Sequence, residues 1–236
     1  MNIESYGASD IGLVRLSNED VWAHVASQNF FILADGMGGH QAGEIAAHET
    51  VLKLCQWAQK LPASLSQDTL SPLLERAIAD ANLWVYTLST QNREMAGMGT
   101  TLCLAFVINH TLLYAHVGDS RLYRVRKGRI ARLTIDHSLK SARGDGNRTR
   151  VPYRNVLTRA VGTQPNVLAD IHSEEVVKGD VYFLCSDGLT DNLSDDDILE
   201  TIENASSVKE ATDALIDEAK QRGGSDNITI VMFKIA

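Results

Sequence analysis

Residues 30–43 place the strongest constraint on the fold of this chain. The stretch opens with five apolar residues, Phe30 to Ala34, continues with Asp35, and then has three glycines among the next four residues. An apolar run of this kind is typical of a fully buried strand, and glycines after it allow a sharp turn close to a bound group. The pattern predicts a core strand that ends at a rigidly held carboxylate and leads into a helix. Alone, it is equally consistent with a strand–turn–helix corner that has no function.

The composition is that of a globular protein that can bury a core of its own. The 236 residues are 44% hydrophobic and 22% charged, with a formal net charge of −8. This negative charge argues against a general nucleic-acid-binding protein, which needs a basic face. The cysteines are three in number, widely spaced and set in apolar surroundings, which indicates reduced core residues and neither disulfides nor a zinc site.

The sequence gives no sign of export or of a membrane. Its first residues lack the basic and apolar regions of a signal peptide. Apolar runs also stay short of the roughly 18 residues that a membrane span needs. We therefore expect a cytoplasmic protein that binds neither membranes nor nucleic acid, and we expect a monomer.

The order of periodic segments predicts an α+β fold. Strands are predicted at 3–9, 20–26, 30–34, 102–108, 112–117, 121–126, 130–134, 170–176, 180–185 and 228–235, and helices at 43–60, 68–90, 194–203 and 207–221. Because strands and helices are grouped and do not alternate, we expect mostly antiparallel sheets. No linker or internal repeat divides the chain, so residues 1–236 are expected to form a single domain.

One segment is basic although the protein is acidic. The stretch 138–160 carries six basic residues and one acid. Two interpretations are open: a solvated loop, or a short basic flap at about 138–155 that contacts an anionic substrate. In the second interpretation the substrate-binding residues are Arg143, Arg148, Arg150 and Arg154.

Several aspartates share one context, at the end or the start of an apolar strand and beside Gly, Ser or Asn. They are Asp35, Asp119, Asp187 and Asp226. Carboxylates at strand ends can converge on one edge of a sheet, where like charges raise one another's pKa unless cations neutralise them. Oxygen ligands without His or Cys partners select Mg²⁺ or Mn²⁺. Each aspartate alone could be a turn residue or a helix cap, but the four together favour a metal site.

Seven motifs then occur in order along the chain. They are Arg15-Leu-Ser-Asn-Glu-Asp20, Ala34-Asp-Gly-Met-Gly-Gly-His40, Gly99-Thr-Thr101, Val117-Gly-Asp-Ser-Arg121, Leu133-Thr-Ile-Asp-His137, Leu184-Cys-Ser-Asp-Gly-Leu189 and Gly224-Ser-Asp-Asn-Ile-Thr229. Together they resemble the motif set of the type-2C, metal-dependent Ser/Thr protein phosphatases in their compact bacterial form. The match runs from about residue 5 to 233.

This resemblance implies a four-layer αββα sandwich, in which two mostly antiparallel β-sheets are flanked by helix pairs and a cleft at one edge holds the metals. It implies Mn²⁺ or Mg²⁺, with two ions in the core site and a third that binds more weakly. By motif match, Asp35 would bridge two ions and Gly36 would offer its backbone carbonyl. Asp187 and Asp226 would complete one metal site, and Asp119, with Asp187, would hold the third ion.

The same resemblance implies a reaction and roles for the other motif residues. A water shared by two metals would attack the phosphorus of phosphoserine or phosphothreonine. Arg15 would bind the phosphate through its planar fork, Asp20 would act through metal-bound water, and Asn227 would orient the neighbouring ligand or a water. Met37 stands where many eukaryotic relatives carry a His proposed as general acid, which leaves His40 or a metal-bound water for that role.

The implied substrates are phosphorylated proteins, and the implied partner is a bacterial Ser/Thr kinase whose action the enzyme reverses. Two alternatives remain open at this point. One is a catalytically silent phosphatase-like module that binds a partner, which the presence of every matching aspartate disfavours. The other is a phosphatase dedicated to one regulatory phosphoprotein, which the motifs do not exclude.

Overall fold

The computed structural model describes residues 2–38, 42–62, 65–139 and 156–236. The strands in these ranges are β1 (Ile3–Asp10), β2 (Asp20–Val25), β3 (Phe30–Met37), β4 (Gly99–Thr100), β5 (Leu102–Ile108), β6 (Thr111–Val117), β7 (Arg121–Arg126), β8 (Arg129–Arg132), β9 (Asp170–Glu175), β10 (Val181–Cys185) and β11 (Ile228–Ile235). The helices are α1 (Ala42–Gln59), α2 (Gln67–Gln91), α3 (Asp187–Thr190), α4 (Asp195–Asn204) and α5 (Val208–Gln221), with short 3₁₀ turns at Ala26–Gln28 and Arg93–Met95.

The strands form two antiparallel sheets. One has the strand order β1-β11-β10-β7-β8 and the other the order β2-β3-β5-β6-β9, with β4 pairing to β3. The register of β2 and β3 places Asp20 directly opposite Asp35. The α+β class and the antiparallel pairing predicted from the order of segments are therefore confirmed.

Three apolar clusters join the layers. Helices α1 and α2 pack on the β3-containing sheet, helices α4 and α5 pack on the other sheet, and a third cluster fills the space between the sheets. Because side chains alternate along a strand, Phe30 and Ile32 face the helices while Phe31 faces the opposite sheet. There Phe31 stacks on Phe233 with ring centroids 4.1 Å apart. The four-layer αββα sandwich is confirmed.

Strand β3 extends further than its apolar run predicts. The sequence pattern ends the strand before Asp35, but the strand continues to Met37 because β4 pairs with Gly36 and Met37. The backbone N–H of Thr101 also donates to the Asp35 carbonyl at 2.8 Å. Asp35 is thus held inside a sheet and does not lie in a turn.

Asp187 begins a short helix, α3, that the sequence pattern does not predict. Ser186 precedes it with extended backbone angles, so β10 passes directly into the helix. The second helical residue is Gly188, where a Cβ atom would overlap the backbone carbonyl of Asn227. This close approach brings Asp187 next to the loop that precedes β11.

Across the residues that the structure describes, no helix is both long and apolar enough to cross a membrane. His40 and the flap arginines lie outside the described residues, so their roles stay predictions; these arginines are Arg143, Arg148, Arg150 and Arg154.

An ion pair between Arg126 and the buried Asp180 connects the end of β7 to the start of β10, at the end of β10 opposite Asp187. The side chain of Asp180 is 1% exposed. Its two carboxylate oxygens accept hydrogen bonds from Arg126 Nε and Nη2, both at 2.7 Å, and one oxygen also accepts from the backbone N–H of Val177 at 2.7 Å. Burial by itself raises the pKa of Asp180, but the hydrogen bonds from Arg126 and Val177 bring it below the ordinary value.

Replacing Asp180 with Asn should remove about 2 kcal/mol from the free energy of unfolding at pH 7, because the charged hydrogen bonds to Arg126 are weakened while Arg126, whose side chain is 27% exposed, keeps its charge. Since the pKa of Asp180 is lowered in the folded protein, the carboxylate stabilises the fold above the pKa of the unfolded chain, about 3.9, and this contribution is lost as the pH falls further. Urea titrations at several pH values should therefore show the difference between wild type and Asp180→Asn shrinking below about pH 4.

The matched control is Asp213→Asn, which removes the exposed ion pair with Lys209. Exposed pairs contribute little, so this variant should unfold as wild type does. An Asp180→Asn protein no less stable than this control would contradict the prediction.

Candidate metal centre

An acidic cleft with a volume of about 250 Å³ lies where elements of both sheets meet. The structure brings four aspartates to this cleft from separate elements: Asp35 from β3, Asp119 from the turn after β6, Asp187 from α3 and Asp226 from the loop before β11. Gly36 lines the cleft as well. Asp35 lies in one sheet, Asp187 and Asp226 adjoin strands of the other, and Asp119 lies in the turn that connects the two sheets. The cleft therefore depends on the packing of the whole sandwich.

Strands β2 and β3 hold two carboxylates in fixed positions. The backbone N–H of Asp35 donates to Thr101 Oγ1 at 2.9 Å. Asp20 is buried, and its Oδ2 accepts hydrogen bonds from the hydroxyls of Ser186 and Thr229, both at 2.7 Å. Its other oxygen, Oδ1, is also buried and has no donor among the described residues. The carboxylate of Asp20 is therefore held in place through Oδ2, while Oδ1 can still accept a hydrogen bond.

The carboxyl groups of the cleft ionise with difficulty unless a cation is near. Burial, reinforced by the negative charges of neighbouring aspartates, raises the pKa of Asp35 and Asp187, and it raises the pKa of Asp119 to about 6. Burial likewise raises the pKa of Asp20, although its hydroxyl donors oppose the rise. A divalent cation would reverse this effect. The donor set is all oxygen, which fits Mg²⁺ or Mn²⁺.

The charges of the cleft couple across the two sheets. After burial, the influences that raise the pKa of Asp187 are the charge of Asp119 and then that of Asp226. The pKa of Asp35 is raised, after burial, by the charges of Asp20, Asp187 and Asp119, in that order. The four aspartates therefore act on one another across a single cleft, as carboxylates that could share bound cations do.

Arg15 reaches the same cleft from the loop between β1 and β2. Its Nη2 donates to Asp226 Oδ2 at 2.6 Å, and 54% of its side chain is exposed. This hydrogen bond raises the pKa of Arg15, so the guanidinium stays charged. A charged fork at the mouth of an acidic cleft is suited to bidentate contact with phosphate oxygens.

Asn227 holds both ends of the loop that carries Arg15. Its Nδ2 donates to the backbone carbonyls of Ile11 and Ser17, both at 3.0 Å, and its Oδ1 accepts from the backbone N–H of Glu19 at 2.8 Å. The resemblance implies that Asn227 orients a neighbouring ligand or water. In the structure, all three of these side-chain hydrogen bonds join Asn227 to the backbone of the segment that contains Arg15.

A second group of polar side chains lies behind Asp119. The ring of His137 stacks on that of His116 with centroids 4.6 Å apart, and His116, His137 and Asp170 offer ligand atoms within 4.8 Å of one another. Both ring nitrogens of His137 are engaged, however: Nδ1 accepts from the backbone N–H of Gly118 at 3.2 Å, and Nε2 lies 3.3 Å from Asp170 Oδ2. The group therefore clamps the turn that presents Asp119, and hydrogen bonds already engage both ring nitrogens of His137.

The sequence only partly foreshadows this clamp. His137 belongs to one of the seven motifs, but its partner Asp170 lies 33 residues further on and in none of them. Asp170 lies between Ala169 and Ile171 and lacks the Gly, Ser or Asn neighbours that single out the cleft aspartates in the sequence.

Comparison with known proteins identifies the family. The family model for Protein phosphatase 2C matches residues 14–227. The chain belongs to the protein phosphatase 2C family. This phosphatase is 32% identical over 235 residues to the serine/threonine phosphatase stp of Listeria monocytogenes, a match that covers 96% of this chain and 93% of that protein. It is 35% identical over 233 residues to the serine/threonine protein phosphatase PstP of Mycobacterium tuberculosis, covering 96% of this chain and 44% of that protein.

Solved structures of this family share the fold. Serine/threonine phosphatase Stp1 from Staphylococcus aureus superposes with a TM-score of 0.93 at 30% identity, covering 100% of this chain and 96% of that one. The catalytic domain of PstP in complex with two manganese ions superposes with a TM-score of 0.88 at 34% identity, covering 98% and 97%. The predicted family and fold are confirmed, and as a family member this phosphatase is a metal-dependent enzyme.

We predict that Mn²⁺ binding to this phosphatase releases protons. In the metal-free folded protein, the raised pKa values of Asp35, Asp119 and Asp187 keep these carboxyl groups protonated at a pH where they would be ionised in the unfolded chain, whose aspartates lose their protons near pH 3.9. These carboxyls therefore lower the free energy of unfolding as the pH rises from about 4 toward 8. A bound cation removes this penalty, so Mn²⁺ should raise the Tm more at about pH 8 than at about pH 5.

Calorimetric titration of Mn²⁺ in two buffers of different ionisation enthalpy measures the released protons. Asp187→Asn should lower both the proton release and the Mn²⁺ affinity, whereas Asp213→Asn, at an exposed ion pair on α5, should change neither. Equal shifts in Tm at both pH values, together with no proton release, would show that the cleft carboxyls are not the Mn²⁺ ligands.

Proposed function

We propose that this chain is a protein serine/threonine phosphatase that hydrolyses phosphoserine and phosphothreonine in phosphorylated proteins. We also propose two Mn²⁺ or Mg²⁺ ions in the core site and a third, weaker ion between Asp119 and Asp187. The observation that carries the proposal is the cleft, which is lined by four aspartates and by Gly36, with Arg15 at its mouth. The relatives named as Ser/Thr phosphatases and the PstP structure with two manganese ions support it.

The chain supplies the ligands and the fixed geometry of the reaction. Asp35, the carbonyl of Gly36, Asp187 and Asp226 would hold the core ions. When bound, such ions stabilise negative charge on phosphoryl oxygens and make water a nucleophile at neutral pH. Asp20 holds one oxygen between two hydroxyl donors and keeps the other free, so it can accept a hydrogen bond from water in the site.

Arg15 would bind and orient the phosphoryl group. Its guanidinium carries a fixed positive charge and a planar fork that matches two phosphate oxygens. The leaving seryl or threonyl oxygen needs a proton, and the sequence assigns this step to His40 or to water. His40 lies outside the described residues, so its role stays a prediction.

Catalysis through a phosphocysteine is not supported. Cys55, Cys103 and Cys185 are free thiols, two of them buried and one half-buried. Burial raises the pKa of each thiol. A thiol that stays protonated is a poor nucleophile, which leaves direct attack by water as the reaction that these residues favour.

We propose that residues 1–236 form one catalytic domain, that it acts in the cytoplasm as a monomer, and that it reverses the action of a Ser/Thr kinase. The basic flap at about 138–155 is proposed to contact the phosphoprotein. The silent binding module is disfavoured, since Asp35, Asp119, Asp187 and Asp226 all line the cleft.

Hydrolysis of an aryl phosphate tests the proposed function. Wild-type protein should turn over this substrate with Mn²⁺ and stop when EDTA is added, because the cleft carboxylates then lack their cations. Asp187→Ala should lower kcat at least about 100-fold, the scale seen when one charge-stabilising group is removed. Asp213→Ala is the control and should act as wild type.

A folded wild-type protein that shows no turnover with any divalent metal would contradict the proposed function. The silent binding module would then become the better interpretation.

We further propose that Asn227 acts as a positioning residue for Arg15. Arg15→Ala should lower kcat/KM for aryl phosphate by about 10- to 100-fold, as expected for a lost hydrogen bond to a charged group. Asn227→Ala should lower it in the same direction, and the double variant should be no worse than Arg15→Ala alone. Mn²⁺ affinity, measured by calorimetry, should change little in either single variant.

The control is Asn192→Ala, because Asn192 Nδ2 donates to the Gly188 carbonyl at 2.8 Å and not to the backbone of the loop that carries Arg15. Its removal should not depend on Arg15, so its effect should add to that of Arg15→Ala. Additive effects of Asn227→Ala and Arg15→Ala, with weaker Mn²⁺ binding, would show that Asn227 acts on Asp226 and not on Arg15.

A further inference from the structure

The loop that carries Arg15, residues 11–17, exposes apolar side chains next to the proposed phosphate ligand; we call it the Arg15 loop. Leu13 is 64% exposed, Val14 is 65% exposed and Leu16 is fully exposed. Single exposed apolar side chains are normal on a protein surface. Three of them within four residues, around a side chain that enters the cleft, form a patch of the kind that marks an interaction site.

The Arg15 loop is fixed by polar contacts and not by burial of these side chains. Asn227 holds the carbonyls at its two ends. Between them, the backbone N–H of Leu13 donates to the Gly224 carbonyl at 2.7 Å, and the N–H of Gly12 donates to Asp10 Oδ1 at 2.8 Å. Gly12 has a φ of 80°, which suits glycine. A partner that binds a surface already held in this way loses little free energy in ordering it.

Arg15 connects the patch to the cleft. Arg15 contacts Asp226, which lines the cleft, and Leu157 and Met37 add apolar side chains to the cleft wall. The side chains next to Arg15 in the loop carry no charge, in contrast to the aspartates inside. The Arg15 loop is therefore suited to bind an apolar polypeptide segment in which the only charged group is one that binds Arg15.

We infer that Leu13, Val14 and Leu16 dock the residues that flank the phosphorylated Ser or Thr of a protein substrate, and that apolar flanking residues are preferred. This inference rests on the proposed function. When the phosphoryl group of a protein substrate binds Arg15, the residues on either side of the phosphorylated residue lie close to the neighbours of Arg15. Successive residues of an extended chain are only about 3.3 Å apart. The occupant of the patch is thus the polypeptide on either side of the phosphorylated residue.

The test compares two phosphothreonine peptides of equal length and charge, one with Leu and one with Ser on both sides of the phosphothreonine, and an aryl phosphate as a substrate without flanking residues. Wild-type protein with Mn²⁺ should hydrolyse the Leu-flanked peptide with a kcat/KM about fivefold higher or more, because apolar surface is removed from water in the complex. In Leu16→Gln and in Val14→Thr the ratio of the two peptides should approach one.

The matched control is Leu83→Gln, which makes the same change at a side chain of α2 that is 51% exposed. It should keep the wild-type preference, and unchanged Tm values would establish that every variant is folded. Equal hydrolysis of both peptides by wild type, or a preference that survives in Leu16→Gln and Val14→Thr, would overturn the inference while leaving the phosphatase activity in place. Failure of wild type to hydrolyse the aryl phosphate would overturn the proposed function itself and the inference with it.

Discussion

The burial of several carboxylates between two sheets is the constraint on which the site depends. Burial and mutual repulsion raise the pKa of Asp35, Asp119 and Asp187, so these groups resist ionisation without a counter-charge. The apolar sandwich holds them there despite this cost, because three hydrophobic clusters stabilise the layers independently of the cleft. Bound divalent cations would relieve this repulsion. Their positive charge would also stabilise the negative charge on the phosphoryl oxygens when water attacks the phosphorus.

Rigid support for each functional group is the second feature of the site. Asp35 lies inside a paired strand, Asp187 begins a helix, and Asp20 is fixed by two hydroxyls. Arg15 lies on a loop, but Asn227 anchors that loop at both ends. The groups are thus preorganised and need little rearrangement to bind ions and phosphate.

The sequence predicts the fold and the identity of the cleft residues better than it predicts their surroundings. The apolar run before Asp35 predicts β3, because a strand whose two faces are both buried needs apolar residues at every position. Its extension to Met37 depends on pairing with β4, some sixty residues away in the chain, which local pattern does not encode. Similarly, the bonds of Asn227 go to backbone groups that every residue possesses, so its partners leave no trace in the residue types.

Crystals grown with Mn²⁺ and measured at the manganese absorption edge provide the most direct test of the account. We expect anomalous peaks for two ions in the cleft, coordinated by Asp35, Asp187 and Asp226, with Oδ1 of Asp20 bonded to water beside them. Peaks at His116, His137 and Asp170 with none in the cleft would contradict the assignment of the metal centre.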